Sequence, residues 1–202
     1  MEIINCIQGT PEWHIIRSGK FTGSEAQAIA SDGAGLKTLV IKLVAEILTG
    51  KQEVGYVNAD LQRGKDLESE ARCSYELETG NIVTEVGFCK LDGQVGCSPD
   101  GLVGEDGGVE IKCFSDSKFV DYMFTDKVDT KYEWQCHFNL YVTDRKWWDY
   151  VVYNPNFNRP LVIKRIYRNE EAIEKIKLGI KTGKKLMNEY LDKINIKQLT
   201  IN

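Results

Sequence analysis

The chain has 202 residues, 42% of them hydrophobic and 28% charged, with a formal net charge of −4. This is an ordinary composition for a globular domain, and the length favours a single domain over residues 1–202 that buries roughly 70% of its unfolded surface. No apolar run approaches the roughly 20 residues that cross a bilayer, which excludes a membrane-spanning segment. The start, Met1-Glu2-Ile3-Ile4-Asn5, lacks the basic and apolar regions of an export signal, so a cytoplasmic location is expected.

Taken in chain order, Thr22-Gly23-Ser24-Glu25 has the form of a capping box and opens a short helix through Ala30. Leu36, Leu39, Val40, Leu43, Val44 and Ile47 have helical spacing and stop at Gly50. A longer helix is expected from about Asn58 to Thr79, closed by Gly80. The run from Ile82 to Cys89 reads as a strand ending before the turn Leu91-Asp92-Gly93. Gln94 to Cys97 and Val109 to Cys113 read as further strands around a Gly104–Gly108 loop, making a three-stranded meander. Helices follow at about Ser117 to Phe124 and Lys131 to Tyr141, then strands at Trp148 to Tyr153 and Leu161 to Tyr167. A helix from about Glu170 to Lys193 carries an apolar stripe through Ile173, Ile176, Ile180 and Met187. The order predicts a mixed α/β (α+β) domain with a central sheet flanked by helices.

The chemistry concentrates at Gly96-Cys97-Ser98-Pro99-Asp100-Gly101 and Val109-Glu110-Ile111-Lys112-Cys113. In a strand, residues two apart share a face, so Glu110 and Lys112 emerge together, opposite Val109 and Ile111. A turn aspartate beside a strand-borne Glu-x-Lys supplies carboxylates for a hard cation and an ammonium beside a phosphate. Each half alone is common: Pro-Asp-Gly is a frequent turn, and Glu-x-Lys is often a solvated face with a weak ion pair. In the segment Arg63-Gly64-Lys65-Asp66-Leu67-Glu68, a glycine inside a helix points to close packing and makes Glu68 the best third carboxylate. Upstream, Arg17 lies near a helix start bearing Ser24, a combination that suits an anion. Six cysteines without C-x-x-C spacing read as reduced thiols, several of them buried, and two histidines make a multi-histidine metal site improbable.

Four blocks together resemble the phage lambda-type alkaline exonucleases, the YqaJ-like viral recombinase family within the restriction-endonuclease-like nuclease fold. They are Trp13 to Glu25, Gly64 to Ala71, Gly96 to Lys112, and Gln135 with Tyr141-Val142-Thr143 and Trp147-Trp148-Asp149-Tyr150. The resemblance implies that Asp100, Glu110, Glu68 and the Ile111 carbonyl ligate metal and that Lys112 is the catalytic lysine. It implies Arg17, Ser24 and Ser98 as holders of a terminal 5′-phosphate, with Gln135 at the edge of the site. The implied activity is Mg²⁺-dependent 5′-to-3′ digestion of double-stranded DNA ends, with two ions per site and Mn²⁺ as a substitute. The implied context is a ring-shaped homotrimer, a single-strand annealing protein as partner, and a phage or prophage gene in a bacterial host. An endonuclease of the same fold, or a non-catalytic DNA-end-binding protein, remains an alternative; the cysteine spacing argues against an iron–sulfur nuclease. Because the chain is acidic, a DNA track has to come from local clustering. Lys37, Lys42, Lys51, Lys118, Lys127, Lys131, Arg145 and Lys146 are the candidates.

Overall fold

Residues 147–153, WWDYVVY, form the most deeply buried strand, because aromatic and β-branched side chains fill both of its faces. A computed structural model describes residues 1–52 and 59–200. The elements are β1 (Glu2–Ile4), α1 (Pro11–Arg17), a single 3-10 turn (Gly23–Glu25), α2 (Ala26–Ser31), α3 (Ala34–Thr49) and α4 (Ala59–Thr79). Then come β2 (Val83–Thr84), β3 (Phe88–Lys90), β4 (Gly96–Cys97), β5 (Gly101–Val103) and β6 (Gly107–Cys113). The chain continues with α5 (Asp116–Thr125), α6 (Thr130–Thr143), β7 (Trp147–Tyr153), β8 (Leu161–Tyr167) and α7 (Glu170–Thr200). The expected helix start at Asn58 lies outside the described residues.

Five strands form a mixed sheet in the order β2-β5-β6-β7-β8. Only β6 and β7 pair in parallel, in a register that sets Glu110 opposite Tyr150 and Lys112 opposite Val152. A parallel pair needs a crossover, and α5 with α6 provides it. A second sheet, β1-β3-β4, is antiparallel. On one face of β6, Val109 and Ile111 pack with Val151, Tyr153, Ala71 and Tyr75 of α4. On the other face lies the main core, where α2, α3, α6 and α7 meet around Phe21, Trp148, Tyr150 and Ile176.

Several expectations are corrected. The strand expected from Ile82 to Cys89 divides, Val83–Thr84 joining the larger sheet and Phe88–Lys90 the smaller. The division falls at Gly87, where an added Cβ would lie 2.3 Å from the Cys6 carbonyl oxygen, so β1's continuation presses on the backbone there. The expected Gly104–Gly108 loop is shorter, because Gly107 and Gly108 are already strand residues. The rings of Trp147 and Trp148 cover them so closely that a Cβ would sit 2.1 and 2.3 Å from indole carbons. Gly101–Val103, passed over as a turn, is a strand paired with β6. The capping box does not form: Thr22 makes no side-chain cap, and Glu25 pairs with Lys42 at 3.4 Å. Among the described residues nothing lies within 4 Å of the Gly64 Cβ position, so no close packing against them accounts for the glycine. The expected helix stops hold, with Gly50 and Gly80 at φ 65° and 69°.

Candidate active site

The central strand β6 delivers Glu110 and Lys112 to the α6 side, and Glu110 is only 1% exposed. A solvated face is therefore the wrong description of this pair. Lys112 Nζ donates to Glu110 Oε1 at 2.5 Å. Gln135 Nε2 donates to the same oxygen at 2.6 Å, and Asn139 Nδ2 donates to Oε2 at 3.3 Å. Gln135 and Asn139 stand one turn apart on α6, so one helix face clamps the carboxylate. Asp100 arrives from the β4–β5 turn, and its Oδ2 accepts the Ile111 N–H at 2.6 Å. Glu68 comes from α4, where Arg72 Nη2 lies 3.6 Å from its Oε1; Arg72 also pairs with Glu85.

The electrostatics show one site. Burial and the charge of Asp100 push Glu68 up to about 7, against the pull of Arg72 and Lys112. Burial, Asp100 and Glu68 push Glu110 up to about 7, against the pull of Lys112. Asp100 is also raised, burial outweighing Lys112, the Ile111 N–H and Arg72. Lys112 goes up despite its burial, because Glu110 and Asp100 favour the ammonium. Three oxygen-donor carboxylates carry more negative charge than Lys112 and Arg72 relieve, and that donor set fits a hard divalent cation. Among the described residues no three acidic, cysteine or histidine side chains already converge as a metal cluster. Glu110 is turned to Lys112 and α6, and Glu68 to Arg72.

A cleft of about 910 Å³ opens here, with Glu68, Arg72, Asp100, Trp13 and His14 among its lining residues. Trp13, in the cleft lining, belongs to a second group of side chains. Arg17 Nη2 donates to Thr22 Oγ1 at 3.3 Å, and the guanidinium lies 4.4 Å from the centre of the Trp13 ring. Arg17 Nε is buried with no hydrogen-bond partner among the described residues. Trp13 Nε1 donates to Ser98 Oγ at 2.8 Å, while Ser24 Oγ is 3.2 Å from Thr22 Oγ1. Arg17 and both serines thus stand in one hydrogen-bonded and stacked group, with Ser98 two residues before Asp100 along the chain. Burial pulls Arg17 down from its usual range, and Glu25, Glu46 and Glu110 are among the charges that oppose this.

Glu110, Lys112 and Gln135 are thus joined by hydrogen bonds, Asp100 is tied to the Ile111 N–H between them, and Glu68 feels the charge of Asp100 from α4, while Arg17, Ser24 and Ser98 belong to the second group. For Ile111, the N–H is the group seen to engage the site. Asn139, Trp13, Thr22 and Arg72 were not read as site residues. Only Asn139 carried a local signal, its spacing of four from Gln135 on a helix. The expected DNA track is thinned: Lys42, Lys131 and Lys146 pair with Glu25, Asp129 and Asp106. Arg145 Nη1 donates to the carbonyls of Val103, Gly104 and Gly107, which is a structural use of its charge.

A mixed sheet that sets a turn aspartate beside a strand-borne Glu-x-Lys defines a nuclease-type α/β core. Residues 12–146 match the model of the YqaJ-like viral recombinase domain, and the chain belongs to that family. The structure is similar to that of an alkaline exonuclease, LHK-Exo from Laribacter hongkongensis. Identity is 32% and the TM-score 0.89, over 96% of this chain and 100% of that one. LHK-Exo in complex with dAMP matches at a TM-score of 0.88, with the same identity and coverage. A phage-related exonuclease from Haemophilus somnus 129PT shares the fold at a TM-score of 0.66 and 16% identity, over 87% of this chain and 96% of that one. No curated protein sequence matches the chain.

Proposed function

We propose that this chain is a Mg²⁺-dependent exonuclease that degrades double-stranded DNA from 5′-phosphorylated ends for single-strand annealing recombination. The observation that carries the reading is the buried Glu110–Lys112 pair beside Asp100, next to an arginine-and-serine group suited to a phosphate. A divalent ion held by Asp100, Glu110, Glu68 and the Ile111 carbonyl would supply an acidified water and polarise the scissile phosphate. The resemblance to the family leads us to assign two such ions, with Mn²⁺ as a substitute. Gln135 and Asn139 fix the Glu110 carboxylate so that it does not reorganise during the reaction. Lys112 holds its proton firmly, so it acts as a fixed positive charge that orients the water and balances charge on the phosphate. Arg17, Ser24 and Ser98 grip the terminal phosphate and so determine which bond meets the carboxylates.

The wider context is part of the same proposal: a ring-shaped homotrimer, a single-strand annealing protein as partner, and a phage or prophage gene acting in the bacterial cytoplasm. Family membership supports it. Among the described residues no helix is long and apolar enough to cross a membrane.

The test compares linear duplex DNA with 5′-phosphate or 5′-hydroxyl ends and closed circles, each with Mg²⁺. Phosphorylated linear DNA is degraded fastest, to mononucleotides and single strands, and closed circles survive. Lys112→Ala reduces cleavage by ~10²–10³-fold, the range for losing a fixed transition-state charge, yet still binds ends. Equal digestion of circles, or a fully active Lys112→Ala, contradicts the proposal.

A further inference from the structure

We propose that Thr22 is a positioning residue that sets Arg17 and Ser24 as donors toward a terminal phosphate, and so determines discrimination between phosphorylated and hydroxyl ends. The inference rests on the phosphate-anchor reading above and deepens it. Thr22 is 5% exposed, so it lies beneath the anion-binding surface rather than on it. Its Oγ1 lies 3.3 Å from Arg17 Nη2 and 3.2 Å from Ser24 Oγ.

The direction of the protons follows from what each group has to give. A guanidinium only donates, so Thr22 Oγ1 accepts from Arg17. A phosphate only accepts, so Ser24 has to spend its one hydroxyl proton on the anion. Ser24 then has none for Thr22, and Thr22 becomes the donor in the 3.2 Å contact. The chain of bonds therefore runs from Arg17 through Thr22 to Ser24 and ends on the anion. Each step polarises the next, which strengthens the last donor. Trp13 fixes the other side of the group by the same logic. Its N–H occupies a lone pair of Ser98 Oγ at 2.8 Å and leaves the Ser98 proton free to donate. Arg17 Nε, buried without a partner among the described residues, is a further donor at this spot.

The failed capping box is the local reason Thr22 is available. A threonine capping the helix start would turn its oxygen toward backbone N–H groups. Here the Gly23–Glu25 turn is stabilised by Glu25 N–H donating to the Thr22 carbonyl at 3.1 Å, and the hydroxyl is left for Arg17 and Ser24.

The test uses Thr22→Val, which keeps the shape and removes the hydroxyl, Thr22→Ala, which removes it without a new methyl against Arg17, and Thr22→Ser, which restores it. Two quantities are read for 5′-phosphorylated and 5′-hydroxyl duplexes: the dissociation constant in EDTA, and kcat/KM with Mg²⁺. Wild type binds the phosphorylated end at least ~10-fold more tightly. Thr22→Val and Thr22→Ala lower that ratio about tenfold, the equivalent of about 1.4 kcal/mol, mainly through KM; Thr22→Ser returns it to within about threefold of wild type. Melting temperatures identify a variant that fails to fold, and the Thr22→Ala and Thr22→Ser pair then decides. An unchanged ratio in the Val and Ala variants, or equal loss in Thr22→Ser, overturns the role of Thr22. A wild-type protein that does not discriminate overturns the phosphate anchor itself, which is a separate outcome.

Discussion

Glu110 sits almost entirely out of water with one ammonium and two amides as partners, and it shares the site with two further carboxylates. Its pKa and that of Glu68 lie at about 7, well above the ordinary carboxylate value of 4.5. The sign of the consequence for stability is the reverse of the usual carboxylate case. Between about pH 4.5 and 7 the folded chain holds more protons than the unfolded chain. These two groups therefore stabilise least above pH 7 and progressively more as pH falls through that window. His137, pulled below its usual value by burial, opposes this at the acid end. The metal-free protein is expected to melt at a higher temperature at pH 6 than at pH 8, and Glu110→Gln is expected to flatten that slope. Mn²⁺ binding, measured calorimetrically, weakens below pH 7 as the carboxylates take up protons. A metal-free melting temperature that falls from pH 8 to pH 6, with the same slope in Glu110→Gln, contradicts the account. The residues legible in the sequence were those whose chemistry is set by short spacing, such as Asp100, Glu110 and Lys112. Thr22, Trp13 and Arg72 were not legible, because their partners come from distant segments or from a local turn the motif did not describe.

The elements were read well where periodicity was long and poorly where glycines carried the meaning. Helices α3, α5, α6 and the start of α7 follow their apolar spacing to within a few residues. The two-residue strands β2 and β4 are too short for alternation to show. Gly107 and Gly108 look like loop residues by composition, yet they are strand residues because two tryptophan rings from β7 lie on them. Gly64 looks like a packing site and instead has no atom of the described residues against its Cβ position. The contrast gives opposite expectations for the same substitution. Gly108→Ala forces a methyl against the fully buried Trp148 and costs about 1–3 kcal/mol, seen as a lower melting temperature. Gly64→Ala adds helix propensity at no steric cost and contributes about 0.5–1 kcal/mol. Thermal melts of both variants check the pair. Equal effects in the same direction would show that the surroundings of the two glycines are wrongly described.

At the scale of the whole molecule, one carboxylate comes from a turn, one from the central strand and one from a helix; Asp100 and Glu68 line the cleft, and Glu110 is buried. The Arg17 group comes from the N-terminal helices to the same edge. The acidic net charge is partly explained by this site, which concentrates negative side chains, and many surface lysines are spent on local pairs. On the proposed reading, the anion donors of the Arg17 group set beside the carboxylates give the asymmetry that an enzyme working from an end requires. The most direct measurement places different labels on the 5′-terminal and 3′-terminal nucleotides of one strand of a phosphorylated linear duplex and follows their release with Mg²⁺. The account predicts that the 5′ label appears first, as a mononucleotide, while the 3′ label stays on a long strand. Release of the 3′ label first, or of internal fragments before either end, would contradict it.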